Sequence, residues 1–509
     1  MIILWVTFFP FALLIIFWRY LYKKHQYWKS QGIDGPPPGI VGNFYDVADV
    51  NKPRYLVLNE WTQKYGQTYG YYEGVVPVLV TSNLDILHDV FIGKFDKFYA
   101  RKLTNMLHGD MEDVQQEPRV NLFVARGQRW HKLRQLISPA FTVAQLVELH
   151  STIEDSVFEM TRRMEYHSNG DSFNIHSYYQ ELTYDVISRL AMGQIGTKQF
   201  ENEGVDIVKA ILMRTHRVLP WYLASTFPQF EYQIRNIFYK HKNVRGGDME
   251  KLINICVLSV GARIKSRLTT LAHGEEPEQI DFIDMFLAKF DDELKVNKAV
   301  VQRVAEDVIG SCFVLLLAGF DTTANALGCA THLLAQHPEV MRRAQNEIDE
   351  HCTDANISYE QVGRLRYLDA VVKEALRLHP VAWFACSREC VETTTLGDIV
   401  IEKGVRVEAD VKAIHLSEEI WGPDAKDFVP ERFLNNENRH PLAWLAFGAG
   451  RRQCVGMRMG MVEAKLALAH ILRKWSFVSG NNFEKELKFK GCTTTSPESV
   501  TVHLRLREL

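Results

Sequence analysis

Between residues 127 and 475 apolar side chains recur at helical spacing through eight segments, and this limits the fold more than any other feature of the chain. The segments are 127–135, 143–166, 178–192, 249–270, 301–336, 338–351, 359–378 and 457–475. Extended runs are short: VVPVLVTS at 75–82, DIVIEKGVRVEA at 398–409 with Gly404 in a turn, and SVTVHLRL near the C-terminus. The pattern predicts a mainly α (α+β) protein, a large helical body with small peripheral β-sheets.

The 509 residues are 46% apolar, enough for a sizeable core. No interior Gly/Ser or Pro-rich linker divides them, so residues 41–509 read as one domain. Gly246, Gly247 and the HGEEPEQ stretch read as surface loops between helices. The net charge of −3, without a basic block beyond the N-terminal region, excludes nucleic acid as a partner class. Eight cysteines are scattered without a CxxC pair, and Cys386 and Cys390 have no partner spacing for zinc. They read as reduced thiols of a protein facing the cytosol.

At the N-terminus, Ile2 to Trp18 is uncharged. As a helix it would span roughly 26 Å at about 1.5 Å per residue, sufficient for a membrane core. Arg19, Lys23, Lys24 and Lys29 follow and would keep the body cytosolic. A cleaved signal needs basic residues before the run and small residues after it; neither is present. Residues 1–20 are therefore expected to be a transmembrane signal anchor, with Trp18, Tyr20 and Tyr22 as an interfacial belt. Residues 21–40, basic and carrying Pro36, Pro37 and Pro38, are expected to be a stiff hinge. The apolar stretch VLPWYLASTFPQF at 218–230 has two readings, a loop covering the core or a lid dipping into the bilayer.

The stretch FGAGRRQCVG, residues 447–456, places Cys454 among three glycines and two arginines. The adjacent Arg451 and Arg452 favour a thiolate, and so does the helix expected to start just after the cysteine. Glycine lets backbone N–H groups turn toward the sulfur. This is the design of a metal ligand or a nucleophile. Upstream, AGFDTT sits inside a long apolar helix. Gly319 there costs about 1 kcal/mol against alanine and needs a reason. Asp321 and Thr322 side by side compete for backbone carbonyls and can open a local bulge. Trp130 and Arg134 share a helix face in WHKLR, and EALR at 374–377 is followed by PERF at 430–433.

Together these motifs resemble the cytochrome P-450 superfamily, whose haem loop reads F-G-x-G-x-R-x-C-x-G, and most nearly its microsomal drug- and steroid-oxidising group with its invertebrate relatives. The likeness covers nearly the whole chain. It implies the P-450 fold and a haem b (iron protoporphyrin IX) cofactor. It implies Cys454 as axial iron ligand, Phe447 and Gly448 at the ring, and Arg452, Trp130, Arg134 and Arg388 at the propionates. Asp321 and Thr322 would activate oxygen by moving protons. Glu374, Arg377 and Arg432 would form a buried charge network locking the cysteine loop. Ala318, Val381 and Ala382 would line the substrate pocket, with 103–122, 214–230 and 493–499. Two departures stand out: Ala446 and Arg451 replace prolines frequent in the family. The resemblance implies Arg451 beside Arg129 and Lys132, on the face that docks an electron donor.

The implied activity is a membrane-bound monooxygenase of the endoplasmic reticulum, its catalytic domain facing the cytosol. It would hydroxylate apolar small molecules such as xenobiotics, steroids or fatty acids. Electrons would come from NADPH through a separate NADPH–cytochrome P-450 reductase, with cytochrome b5 a further partner, because the chain has no G-x-G-x-x-G after a strand. The alternatives are a haem-thiolate isomerase or dehydratase acting without reductase, and a non-enzymatic haem carrier. The presence of Asp321 and Thr322 argues against both.

Overall fold

The computed structural model describes residues 2–101, 120–167, 171–239, 247–295, 298–435, 438–480 and 482–507. Its axis is the 39-residue helix Lys298–Gln336, whose side chains are buried over most of its length. Ile175–Met192 lies along it, and the approach is close. A Cβ on Gly319 would come 3.0 Å from Ile187 Cγ1, and one on Gly328 would come 3.1 Å from His176 Cδ2. Helix packing therefore explains Gly319. No bulge forms at the acid–alcohol pair: the helix runs unbroken through Asp321 and Thr322.

Around this axis stand Gly127–Ile137, Val143–Met164, Asp248–Ala272, Pro338–His351 and Met457–Lys474. The last crosses the axis where a Cβ on Gly460 would sit 3.5 Å from Thr323 Oγ1. The segment expected as one helix over 359–378 is two, Tyr359–Arg364 and Arg366–Leu378. The second begins where the Glu347 carboxylate accepts the N–H groups of Tyr367 and Leu368, at 2.7 and 2.9 Å. Trp475 leaves the helical run and opens the strand Trp475–Val478.

The main sheet has the order Thr68–Glu73, Val76–Thr81, Arg406–Ala409, Ser387–Glu389. The first two form a hairpin, and Val76–Thr81 pairs in parallel with Arg406–Ala409. The 398–409 stretch is thus not a single hairpin. Ile399–Ile401 pairs with Thr394–Leu396 in a separate sheet. Thr501–Leu506 joins Trp475–Val478 and Phe173–Asn174.

The N-terminal run forms the helix Ile2–Lys24. Among the described residues no helix is long and apolar enough to cross a membrane. The end of this helix and the chain after it touch the body at several points. Tyr20 Oη donates to Thr226 O at 3.1 Å, and its ring stacks on Phe227. His25 Nε2 donates to Gly74 O at 2.9 Å, and Trp28 Nε1 to Tyr71 O at 3.1 Å. The 218–230 stretch is helical over Leu219–Thr226, with Pro220 in its first turn. Its Ser225 O accepts from Val75 N at 3.0 Å.

Candidate functional site

The 447–456 loop is shaped by its backbone. Gly448 and Gly450 take φ of +69° and +68°, and a Cβ on Gly450 would lie 2.2 Å from Phe91 O. Cys454 N donates to Phe447 O at 3.0 Å and closes the loop. Phe447 packs edge-on against Trp444. Of the eight cysteines Cys454 alone is exposed; the other seven are buried.

A second exposed stretch lies on the central helix. On the central helix Ala318 is exposed and Thr322 half-exposed, while Phe320, Asp321 and Thr323 beside them are buried. The helix that follows Cys454 meets the central helix where Gly460 faces Thr323, the residue next to Thr322. The dense protein around the sulfur still pushes the thiol up. Opposing this are the N–H groups of Gly456 and Met457 and the charges of Arg101 and Arg134. Arg451 and Arg452, expected to stabilise a thiolate, are not the groups that do so. Arg451 turns outward over the Phe95 ring. Buried Arg452 lies over Trp130 and donates to Tyr99 O and Ala125 O at 3.0 and 2.7 Å.

Five guanidinium groups, Arg452 and the four whose charges act on it, gather beside the loop. Arg388 is buried, lies over Phe91, and donates to Ser387 O at 2.8 Å. Arg101 lies over Phe123 and donates to Arg452 O at 3.0 Å. Arg134 donates to Gln453 O at 3.0 Å. Among these five, only Arg126 is paired with a described carboxylate, Glu389, at 2.9 and 3.1 Å. Burial, with the Arg388 charge, pushes Arg101 down to about 9. Burial pushes Arg388 down to about 10, and burial plus the other four arginines push Arg452 well below its usual range. The Nε atoms of Arg101 and Arg388 are buried without a partner among the described residues.

Buried like charges of this kind call for an anion. The expected haem fits the cradle: its carboxylates would answer the guanidinium groups, and its iron would supply the positive charge that the Cys454 sulfur lacks. Arg101 and Arg126 were missed by sequence reasoning. Neither lies in a motif, and both reach the site only through folding. Two expected neighbours of this face lie elsewhere. Arg129 is buried and, with Lys132, binds Asp307, at 3.0 Å from Arg129.

On the central helix, Thr322 Oγ1 donates to Ala318 O at 2.7 Å, one turn back. Asp321 points away from it into a buried polar pocket with Asn325 and Thr494. Burial pushes Asp321 up to about 6, tempered by the Thr494 and Asn325 side chains and the Lys209 charge. Neither neighbour completes a hydrogen bond with it: Asp321 Oδ2, Asn325 Nδ2 and Thr494 Oγ1 all lack a partner among the described residues. Asn325 Oδ1 instead accepts from His176 Nε2 and Ser496 Oγ, at 2.8 and 3.1 Å. Val381 O accepts from Thr495 N at 2.9 Å, tying Val381 and Ala382 to the 493–499 turn. The expected pocket stretch 103–122 lies outside the described residues up to 119.

The expected charge network is present. Arg377 grips Glu374 with two bonds of 2.6 and 2.7 Å, both side chains fully buried. Arg432 Nε stands 3.4 Å from Glu374 Oε1, and its Nη2 is 2.8 Å from Asp424. Glu374 Oε1 also accepts from Val429 N at 3.0 Å.

A family model described as Cytochrome P-450 matches residues 34–502. The Caenorhabditis elegans cytochrome P-450 named cyp-13B1 is 56% identical over 488 residues, 95% of this chain and 96% of its own. Two further C. elegans cytochromes, CYP13A1 and CYP13A10, are each 38% identical. CYP13A1 aligns over 99% of both chains, and CYP13A10 over 97% of this chain and 98% of its own.

Proposed function

The chain belongs to the cytochrome P-450 family, a haem-containing oxidoreductase of the monooxygenase class, and on that premise we propose that it hydroxylates apolar small molecules in the cleft between Cys454 and the Ala318–Thr322 stripe. The observation that carries this reading is the pairing of an exposed Cys454 with an open stripe on an otherwise buried helix, beside an arginine cluster short of anions. When bound, haem b supplies the iron at which dioxygen is reduced, with electrons from NADPH arriving through a reductase.

The chain's own groups do the rest. Cys454 holds the cofactor from one side, with Phe447 and Gly448 shaping the loop. Arg101, Arg134, Arg388 and Arg452, with Trp130 behind Arg452, bind its carboxylates. Ala318, Val381 and Ala382 exclude water and orient the apolar substrate. Thr322 Oγ1 holds a proton at the cleft. Asp321, partly protonated near neutrality, restores it after a side-chain turn toward the cleft. Steroids, fatty acids and drug-like molecules all suit such an apolar site.

We also assign the chain to the endoplasmic reticulum membrane, held by the Ile2–Lys24 helix, with the neighbouring 218–230 stretch at the lipid surface. Exposed Leu219, Phe230 and Ile237, exposed Phe11, Leu14 and Ile16, and the packing of Phe17 and Tyr20 on Phe227 support this. A microsomal reductase, with cytochrome b5 as a second donor, would then share the membrane. Deleting residues 2–24 should release the protein from alkaline-washed microsomes; release of the intact chain would refute the anchor. The carbon monoxide difference spectrum of the dithionite-reduced protein tests the chemistry. A strongly red-shifted Soret band is expected. A band at the neutral-ligand position in folded, haem-loaded protein would overturn the thiolate reading.

A further inference from the structure

Between the buried charge network and the cysteine loop stands one side chain that no motif singled out. His415 is fully buried at the end of the short helix Val411–His415. Its two ring nitrogens touch two different parts of the site. Nε2 lies 2.8 Å from Leu445 N, which can only donate, so Nε2 is the acceptor. Nδ1 then carries the hydrogen and donates to Arg377 O at 3.0 Å. Arg377 Nη1 returns the contact by donating to His415 O at 2.5 Å. Burial and the Arg377 charge hold the imidazole neutral, down to about 3, as this tautomer requires.

Leu445 is the first fixed point of the ligand loop. Its carbonyl accepts from Gly448 N at 2.9 Å, forming the turn that carries Phe447. Phe447 O in turn accepts from Cys454 N. The bonded path therefore runs Glu374, Arg377, His415, Leu445, Phe447, Cys454. Apart from His415, its links are a buried ion pair and local backbone turns.

We propose that His415 is the positioning residue of the ligand loop: its Nε2 fixes the Leu445 N–H, and through it the height and direction of the Cys454 sulfur. The inference rests on the haem-thiolate reading above and extends it to a named second residue. A role in filling space alone makes different predictions. Glutamine places an oxygen near the Nε2 position and asparagine near the Nδ1 position. Glutamine therefore keeps an acceptor for Leu445 N and gives up the bond to Arg377. Asparagine does the reverse, and phenylalanine fills the volume with neither.

The test uses the full-length, haem-loaded chain in membranes. The rate at which the red-shifted carbon monoxide band converts to the neutral-ligand band is followed at 37 °C, alongside total haem. Conversion in His415→Phe and His415→Asn should be about tenfold faster than in wild type, the effect of losing one buried acceptor. His415→Gln should stay within about twofold of wild type. Total haem per folded protein should be unchanged in each. Equal rates in the Gln and Asn variants, or a wild-type rate in His415→Phe, would overturn the proposal. If His415→Phe does not fold, the Gln–Asn comparison decides alone. A wild-type chain without any red-shifted band would instead refute the haem-thiolate reading.

Discussion

Asp321→Asn should raise the stability of the protein, and by more at alkaline than at acid pH. Burial lifts the Asp321 carboxyl from its ordinary 3.8 to about 6 in the folded state. The folded chain thus prefers the neutral form, and keeping the carboxylate inside costs free energy. The cost is nearly absent below about pH 4, where both states are protonated, and grows from there. It levels off above about pH 6 at roughly 3 kcal/mol, from about 2 units at 1.36 kcal/mol each. Roughly half of it is present at pH 5. Asparagine has the same shape and no charge, so the variant escapes the cost. With an unfolding entropy of about 2.1 cal/mol/K per residue, the gain is about 3 °C in Tm at pH 8 and about 1.5 °C at pH 5.

The assay is thermal unfolding of the haem-loaded full chain in micelles, wild type and variant at one scan rate, at pH 5 and pH 8. Any pH-independent packing change from the amide is common to both conditions and drops out of the difference. A gain that is equal at the two pH values, or larger at pH 5, would refute the reasoning. The same variant should lose product per NADPH, because the group that weakens the fold is the one proposed to restore the proton on Thr322.

Thr322→Ala removes a hydroxyl tied, among the described residues, to Ala318 O alone, so haem content and fold should persist while NADPH is consumed and peroxide released. Unchanged product per NADPH would exclude Thr322 from proton handling. Glu374→Gln leaves Arg377 and Arg432 without their shared buried partner and should cost about 3–5 kcal/mol, read as loss of haem-loaded protein on expression. Gly450→Ala combines φ of +68° with a Cβ placed 2.2 Å from Phe91 O, and should cost at least about 2 kcal/mol, seen as a lowered Tm. Retention of the wild-type Tm would show that the loop tolerates a shift away from Phe91.

The fold was legible where one physical signal acts locally. The amphipathic period located the long helices, with ends shifted by a few residues. It failed at Leu365, where nothing local breaks a helix; the new start is capped by Glu347, 20 residues upstream. It failed again in 398–409, where Arg406–Ala409 pairs with a strand more than 300 residues away. The site divides the same way. Gly448, Gly450 and Cys454 form one continuous stretch, and their backbone needs are visible in the sequence. The electrostatics of the sulfur were not. Arg451 and Arg452 are its nearest charged neighbours along the chain, but one turns to solvent and the other to carbonyls. The charges that reach the sulfur are those of Arg101, some 350 residues away in sequence, and Arg134, some 320 away.

Two groups of buried arginines frame the cysteine loop, and they differ in how their charge is balanced. Arg377 and Arg432 meet Glu374, Asp424 and several carbonyls, so their charge is balanced within the protein. Arg101, Arg388 and Arg452 meet carbonyl oxygens and aromatic faces but no described carboxylate. The first group is a fixed support, and its strength does not depend on a ligand. The second favours whatever anion enters between its members, and by linkage an anion that binds only the folded state stabilises that state. The cysteine loop lies between the two. Its backbone is held from one side by His415 at the edge of the balanced network. Its sulfur is held on the other beside the unbalanced cradle, so the support can be rigid while the cradle still gains from being filled.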